Sequence, residues 1–299
     1  MKKAQLEQFL HYLATVRQYS PHTLTNYRRD LARFFDFTET ESLSGWDQVQ
    51  TRHVRQFAAQ IHRQGLGGKS IQRCLSALRS FYRYLARQQL VEHNPAAAIQ
   101  APKAPRKLPD TLDVDQMTLL LDVPVTDAVS ARDAAIMELI YSSGLRISEL
   151  VSLDLHSIDL ADHSLRVTGK GSKERDLPIG RKALEALDKW LDRRDQFAAF
   201  DELALFVSKR GGRLTVRAAQ QRMAYWGKRL GVQGQVHPHR LRHSFASHML
   251  ESSGDLRAVQ ELLGHEDIST TQIYTHLDFQ HLMQVYEDAH PRARKKDKS

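Results

Sequence analysis

Cysteine is almost absent from this sequence, which contains one, Cys74, in 299 residues. A single cysteine excludes an intrachain disulfide and any metal site built from several cysteines. Cys74 lies in an apolar pattern of helical spacing, so we expect it to be a small buried side chain.

Long apolar runs are missing as well. The sequence has no run of about 18 apolar residues, so it offers no membrane-spanning helix. Glu7, Gln8 and His11 interrupt the apolar residues near the N-terminus, which excludes the apolar centre of a signal peptide. We therefore expect an amphipathic first helix and a cytoplasmic protein.

Acidic residues are scarce in two stretches. Residues 1–105 contain 15 Lys/Arg against 7 Asp/Glu, which accounts for the whole net charge of +8. No acidic residue lies between Glu202 and Glu251, where nine basic residues do: Lys209, Arg210, Arg213, Arg217, Arg222, Lys228, Arg229, Arg240 and Arg242. Solvated surfaces usually mix both signs, so this stretch favours contact with the phosphates of a nucleic acid. A merely solvated basic face is the alternative.

The apolar pattern predicts a mainly α-helical chain of two domains. Residues 1–93 predict a four-helix domain, in which Ser20-Pro21 begins one helix and Ser70 caps another. Residues 94–109 are predicted as a linker, because three prolines between Pro102 and Pro109 exclude a regular helix.

Residues 110–290 predict a larger and mostly helical domain with a small β-hairpin, followed by a basic disordered tail at 291–299. Helices are expected from about Asp113, from about Asp127 and from Arg146. Alternation of apolar and polar residues predicts strands at 164–168 and 175–179, joined by a turn at 169–172.

Two short segments place a cation beside glycines. In Ser143-Gly144-Leu145-Arg146, the arginine would lie at the positive end of a helix, with Glu149 one turn later and able to orient it. Glycines flank Lys170, so its side chain would project from the hairpin and bind phosphate or donate a proton. A surface ion pair and a solvated turn are the respective alternatives.

A third segment, His237 to Phe245, begins a helix at a proline. His239 and Arg242 are three residues apart on one face, which pairs a proton carrier with a donor suited to phosphate oxygens. His239 and His243 also have metal-ligand spacing, but no glutamate follows His239 and no third ligand is evident. We expect His243 and His248 to be packing or hydrogen-bonding residues.

The fourth segment contains Gly264-His265 and, nine residues after the histidine, Tyr274. Gly264 is suited to ending a helix and directing His265 outward, and Ser269 to capping the next helix. Tyr274 alone is equally compatible with an ordinary packed tyrosine.

Together these segments resemble the tyrosine recombinases, the phage integrase family. Six positions match that family's catalytic pattern in order and spacing: Arg146, Lys170, His239, Arg242, His265 and Tyr274. The resemblance covers nearly the whole chain and implies a core-binding N-terminal domain followed by a catalytic domain. It implies that Tyr274 becomes linked to a DNA 3′-phosphate, that Lys170 protonates the leaving oxygen, and that His239 takes the tyrosine proton, without metal, cofactor or ATP.

The resemblance also implies partners. These are a double-stranded DNA recombination site, a sister recombinase in a heterotetramer that resolves chromosome dimers at cell division, and a regulating DNA-translocating division protein. The helix expected at 278–289 would dock either onto the next subunit or within its own domain. A type IB topoisomerase, a DNA-binding protein with a vestigial site, and a metal-dependent nuclease using His239 and His243 are the alternatives.

Overall fold

A computed structural model of the chain describes residues 2–101, 111–169, 174–264 and 279–292. The chain forms two compact units, Met1–Lys107 and Leu108–Ser299. No helix in these described ranges is long and apolar enough to cross a membrane.

Four helices form the described part of the N-terminal unit: α1 (Lys2–Thr15), α2 (Pro21–Thr40), α3 (Thr51–Arg63) and α4 (Gly68–Arg87). Their apolar faces bury a core rich in aromatic side chains, including Phe34, Phe57 and Phe81. Cys74 is fully buried in this core, as predicted. The mainly helical character predicted from the sequence is therefore confirmed for this unit.

The capping residues predicted from the sequence are correct for α2 but not for α4. Ser20 caps α2 as predicted, because its hydroxyl accepts a hydrogen bond from the amide of Thr23 at 3.3 Å. The prediction that Ser70 caps α4 is wrong, since α4 begins at Gly68 with Gly67 before it. The Ser70 amide already donates to the Gly67 carbonyl at 2.9 Å, which places Ser70 inside the first turn.

Packing in the N-terminal unit continues past residue 93, where the sequence suggested that a linker begins. The Arg79 guanidinium donates to the carbonyls of Ala96 and Ile99 at 3.1 and 2.6 Å, and both residues are buried in the core. Asn94 donates back to the Arg79 carbonyl at 3.0 Å. Residues 94–99 are thus part of the packed unit, and 102–110 lie outside the described residues.

The larger unit is also mostly helical in its described part. Its helices are α5 (Val114–Leu121), α6 (Ala128–Ser143), α7 (Ile147–Ser152), α8 (Arg181–Arg194), α9 (Val216–Arg229), α10 (Pro238–Ser253), α11 (Leu256–Leu263) and α12 (Phe279–Ala289). Helix α6 is buried along its whole length and packs against α8 and α10. It is the central helix around which the other elements are arranged.

Three short strands form one antiparallel sheet in the order β1-β2-β3: β1 (Ile158–Asp159), β2 (Ser164–Thr168) and β3 (Glu174–Pro178). Strand β2 matches the predicted residues, and β3 begins one residue earlier than predicted. In the register of β2 with β3, Val167 lies opposite Arg175. Because alternate residues share a face, Arg175 lies on the same face as buried Leu177.

Helix α12 packs within its own unit, against α10 and β3. The Tyr286 hydroxyl and the Ser142 hydroxyl form a 2.7 Å hydrogen bond in the buried interior. Of the two docking modes considered for this helix, the structure describes the one within its own domain. The predicted start at Asp278 and the predicted tail from 293 onward lie outside the described residues.

Candidate active site

Arg146 is held at the start of α7 by a turn and a carboxylate. Gly144 ends α6 with a φ of 60°, and a Cβ added there would lie 2.6 Å from the Phe245 ring. The Arg146 amide donates to Glu149 at 2.9 Å, and its Nη1 donates to the same carboxylate at 2.8 Å. The Arg146 side chain is 38% exposed, so it is oriented by the protein yet accessible to a ligand.

Glu149 binds two arginines from different parts of the chain. Besides Arg146, it accepts hydrogen bonds from Nη1 and Nη2 of Arg175, both at 3.1 Å. Burial opposes ionisation of Glu149, but the hydrogen bonds from Arg175 and Arg146 outweigh it and lower its pKa. Glu149 is therefore an ionised, buried anchor, and its predicted role of orienting Arg146 agrees with these contacts.

Arg242 lies on α10 and is almost completely buried. Its Nη1 donates to the Gly144 carbonyl and its Nη2 to the Leu263 carbonyl. Burial, and then the nearby charge of Arg146, lower the pKa of Arg242 to about 10. The guanidinium therefore stays charged at neutral pH, and two backbone carbonyls fix its plane.

The two arginines meet at the end of α11. Arg146 Nη2 donates to the Gly264 carbonyl at 3.1 Å, and Arg242 donates to the preceding carbonyl, that of Leu263. Gly264 has a φ of 62° and ends α11, as predicted from its position. The structure thus brings Arg146, Arg242 and the residue immediately before His265 together.

His239 lies three residues before Arg242 on α10, and its side chain is exposed. Neighbouring protein atoms still remove part of the water around its ring, and this partial desolvation, followed by the charges of His237, His243, Arg242 and Arg146, lowers its pKa. The imidazole is therefore neutral at pH 7 and able to accept a proton.

The other histidines of this segment have different surroundings. His237 caps α10, its Nδ1 accepting from the Arg240 amide at 3.2 Å. His248 is buried and forms a 2.9 Å hydrogen bond with the Tyr141 hydroxyl, which confirms its predicted structural role. For His243 the same role stays a prediction, since this side chain is exposed and makes no hydrogen bond to another described residue.

Lys170, His265 and Tyr274 lie outside the described residues. Among the sequence-predicted site residues, the structure therefore brings together Arg146, Arg242 and His239.

Arg175 is the one residue of this cluster that the sequence reasoning missed. Its guanidinium packs against Gly264, where a Cβ would lie 2.9 Å from Cζ, and its Nε is buried without a hydrogen-bond partner in the described structure. A charged residue on the inward face of a strand, opposite Val167 and two residues before Leu177, is the signal that could have identified it.

The basic residues between Glu202 and Glu251 include some that other protein groups bind and some whose side chains are exposed and bound by no described residue. Arg213, Arg222 and Arg240 are held by protein groups, which are Asp154, Asp133 and the Gln233 carbonyl respectively. Four exposed side chains make no ion pair or hydrogen bond with other described residues: Lys209, Arg210, Arg217 and Lys228. Arg242 belongs to the arginine cluster described above, and these four are the exposed cations of the stretch that no described residue binds.

Two family models match the chain. The model described as "Phage integrase family" matches residues 110–281, and the model described as "Phage integrase, N-terminal SAM-like domain" matches residues 6–89. The two matches together cover most of the sequence.

Curated proteins and solved structures show the same likeness. The chain is 53% identical over 290 residues to "Tyrosine recombinase XerC" of Escherichia coli O9:H4 (strain HS), covering 97% of each chain. The crystal structure of XerA recombinase has 29% identity and a TM-score of 0.50, covering 98% of this chain and all of that one. XerH site-specific recombinase, bound to palindromic difH substrate in a post-cleavage complex, has a TM-score of 0.72 at 22% identity. That comparison covers 94% of this chain and 84% of XerH.

Proposed function

Because this chain belongs to the phage integrase family and is a site-specific tyrosine recombinase, we propose that Tyr274 is the nucleophile and forms a 3′-phosphotyrosyl intermediate. The observation that supports this most strongly is the convergence of Arg146 and Arg242 on consecutive carbonyls at the end of α11. Two fixed cations beside the residue that precedes His265 form a site for one phosphodiester.

The arginines stabilise the transition state electrostatically. Attack on a phosphodiester builds negative charge on its non-bridging oxygens, and two guanidinium groups neutralise that charge without a metal ion. Glu149 keeps Arg146 in position through two hydrogen bonds, so little reorganisation is needed when DNA binds. Each arginine is expected to contribute on the order of 10²–10³ in rate.

Proton transfer is assigned to the remaining residues. His239 takes the proton of the Tyr274 hydroxyl, and the lowered pKa of His239 keeps its imidazole in the neutral form that this step requires. Lys170 protonates the leaving 5′-oxygen, and His265 donates a hydrogen bond to the transition state. The phosphotyrosyl bond retains the bond energy, so rejoining needs neither ATP nor a cofactor.

We further propose a biological role from the likeness to XerC proteins. The chain acts with a XerD-like recombinase in a heterotetramer on a double-stranded recombination site, and it resolves chromosome dimers before cell division. A DNA-translocating division protein regulates it on the cytoplasmic nucleoid. The excess of basic residues in 1–105 supports the N-terminal unit as a DNA clamp, which predicts a steep dependence of affinity on salt.

The test is a nicked suicide duplex carrying the recombination site, incubated with the protein in EDTA. We expect a covalent protein–DNA adduct with the parent protein and none with Tyr274→Phe. Tyr225→Phe is the matched control, because Tyr225 is exposed and its hydroxyl binds only Arg229 among the described residues. Cleavage that EDTA abolishes would favour a metal-dependent nuclease instead, and an adduct that survives Tyr274→Phe would refute the proposal.

A second assay separates strand exchange from relaxation. With two site-bearing duplexes and a XerD-like partner, a recombinase yields exchanged products. A type IB topoisomerase yields only relaxed supercoiled DNA, whichever sequence it carries.

A further inference from the structure

Arg175, on β3, contacts both of the residues that bind the Arg146 guanidinium. Its two terminal nitrogens donate to the two carboxylate oxygens of Glu149, each at 3.1 Å. Its guanidinium also packs on Gly264, where an added Cβ would lie 2.9 Å from Cζ and 3.1 Å from Nε. The Arg175 side chain is 18% exposed, against 38% for Arg146. Arg146 is therefore the more accessible of the two arginines that share this carboxylate.

The carboxylate that orients Arg146 also opposes the binding of a phosphate. Glu149 accepts a hydrogen bond from Arg146 Nη1 at 2.8 Å, and an isolated arginine–carboxylate pair has no net charge. A phosphodiester is an anion, so a carboxylate close to it is repulsive, and the repulsion grows where the local dielectric constant is low. Glu149 is only 5% exposed, so solvent ions screen its charge poorly. Its use as an anchor for Arg146 therefore calls for a second, compensating cation.

Arg175 supplies that cation. Burial raises the pKa of Glu149, and among the contacts that lower it again the hydrogen bonds from Arg175 have the largest effect. With Arg242, the described residues of the cluster provide three cations against one carboxylate, an excess of two positive charges. A phosphodiester carries one negative charge and gains another when a deprotonated tyrosine attacks it. Without Arg175, the excess in the cluster would fall to a single charge.

The outer face of the same two strands carries a similar ion pair in a different environment. Arg166 donates to Asp176, which lies opposite it in the register, at 2.8 and 3.1 Å. The two side chains are 62% and 41% exposed, so solvent screens this pair. Arg166 is therefore a matched control for Arg175, because both arginines bind a carboxylate through two hydrogen bonds on the same sheet.

We propose that Arg175 is a positioning residue for DNA cleavage, which offsets the charge of Glu149 so that this carboxylate orients Arg146 without repelling the scissile phosphate. Arg175 acts through Glu149 and does not itself contact the phosphate. The inference rests on the proposed function, because it concerns the same phosphodiester.

The test is a double-mutant cycle on single-turnover cleavage of the nicked suicide duplex, at saturating DNA and in EDTA. The full-length parent is compared with Arg175→Gln, with Glu149→Gln and with the variant that carries both substitutions. Arg175→Gln should form the adduct about 10–100-fold more slowly than the parent, by analogy with residues that orient metal ligands. In the Glu149→Gln background the same substitution should change the rate by no more than about twofold, because no carboxylate charge remains to be offset.

Two further measurements distinguish this role from a purely structural one. Arg166→Gln removes the equivalent charge from the outer face of the sheet and should cleave at the rate of the parent. The affinity of Arg175→Gln for the duplex should fall by no more than about twofold, because many other phosphate contacts determine binding, whereas the offset matters most in the transition state. A general structural defect would lower affinity and rate together.

Each outcome of the cycle decides the proposal. A loss of rate that persists in the Glu149→Gln background overturns it, because Arg175 would then act through its packing on Gly264 or through the DNA. Equal rates for Arg175→Gln and the parent, or an equal loss in Arg166→Gln, overturn it as well.

A substitute variant keeps the test decisive if Arg175→Gln does not fold. Arg175→Lys then takes its place in the same cycle, because a lysine retains the charge but cannot bind both carboxylate oxygens. A smaller loss that disappears with Glu149→Gln is expected, and a loss that persists, or none at all, overturns the proposal. A parent protein that forms no adduct refutes the proposed function and this inference together. An adduct in the parent without the predicted dependence on Glu149 refutes this inference alone.

Discussion

His290 is expected to make the stability of the larger unit depend on pH. Its ring is buried between Tyr286, Tyr141 and Phe245, with ring centroids 4.8, 5.0 and 5.7 Å away. Nε2 donates to the Tyr141 carbonyl, and Nδ1 accepts from the Arg292 amide, both at 3.2 Å. In the neutral ring, both nitrogens therefore have a hydrogen-bond partner. Protonation would place a hydrogen on Nδ1, where it would face the Arg292 N–H.

The magnitude follows from the pKa of His290 in the two states. Burial, with the nearby charges of Arg292 and His248 adding to it, lowers this pKa to about 3 in the folded protein, against about 6.5 in the unfolded chain. The unfolded state thus takes up the proton first. The stabilisation is complete above about pH 6.5 and decreases as the pH falls toward 3. Between pH 8 and pH 5, His290 should cost about 2 kcal/mol of unfolding free energy.

The assay is urea unfolding of the parent protein and of His290→Gln at pH 8 and pH 5, with amide hydrogen exchange of α6 assigning the transition to the larger unit. His290→Gln should lower stability at pH 8 and reduce the loss between pH 8 and pH 5 by about 2 kcal/mol. His243→Gln, which replaces an exposed histidine on α10, is the control. An unchanged pH dependence in His290→Gln would refute this explanation.

Three further predictions concern the candidate site. Arg242→Lys should slow adduct formation on saturating DNA by about 10²–10³-fold, because one ammonium group cannot donate to two carbonyls and a phosphate in the same geometry. Single-turnover cleavage measures this rate, and a rate near that of the parent would contradict the prediction. Gly144→Ala should lower the unfolding free energy of the larger unit, measured in urea, by about 1–3 kcal/mol. The reason is that an alanine is strained at a φ of 60° and its Cβ would lie 2.6 Å from the Phe245 ring. Unchanged stability would show that this turn tolerates a side chain. The acid limb of kcat/KM for cleavage should lie below about pH 6.5, because the pKa of His239 is lowered, and a limb above that pH would exclude His239 as the base.

Local features of the chain could be predicted well from the sequence. Asp113 and Asp127 stand before α5 and α6, and each side chain accepts a hydrogen bond from the backbone amide three residues later. Such capping involves neighbours in sequence, so residue type and spacing are sufficient to identify it. Ser70 shows the limit of this reasoning, because Gly67 serves as the cap although it offers no side chain.

Contacts between distant segments could not be predicted in this way. Arg175 reaches Glu149 across 26 residues, and Arg146 reaches the Gly264 carbonyl across 118. Burial of Glu149 makes those pairings necessary, but only the packing of β3, α7 and α11 decides which cations supply them. The packing of Ile99 on the N-terminal unit was missed similarly, because it depends on Arg79 binding its carbonyl.

The central claim is that Tyr274 attacks a phosphodiester held by Arg146 and Arg242. Its most direct test is peptide mapping, by mass spectrometry, of the adduct trapped on a suicide duplex in EDTA, with each DNA end labelled in turn. The proposed mechanism predicts one cross-linked peptide, containing Tyr274 joined to a DNA 3′-phosphate, with a free 5′-hydroxyl on the released strand. A 5′-phosphate linkage, or a cross-link at any other residue, would contradict it.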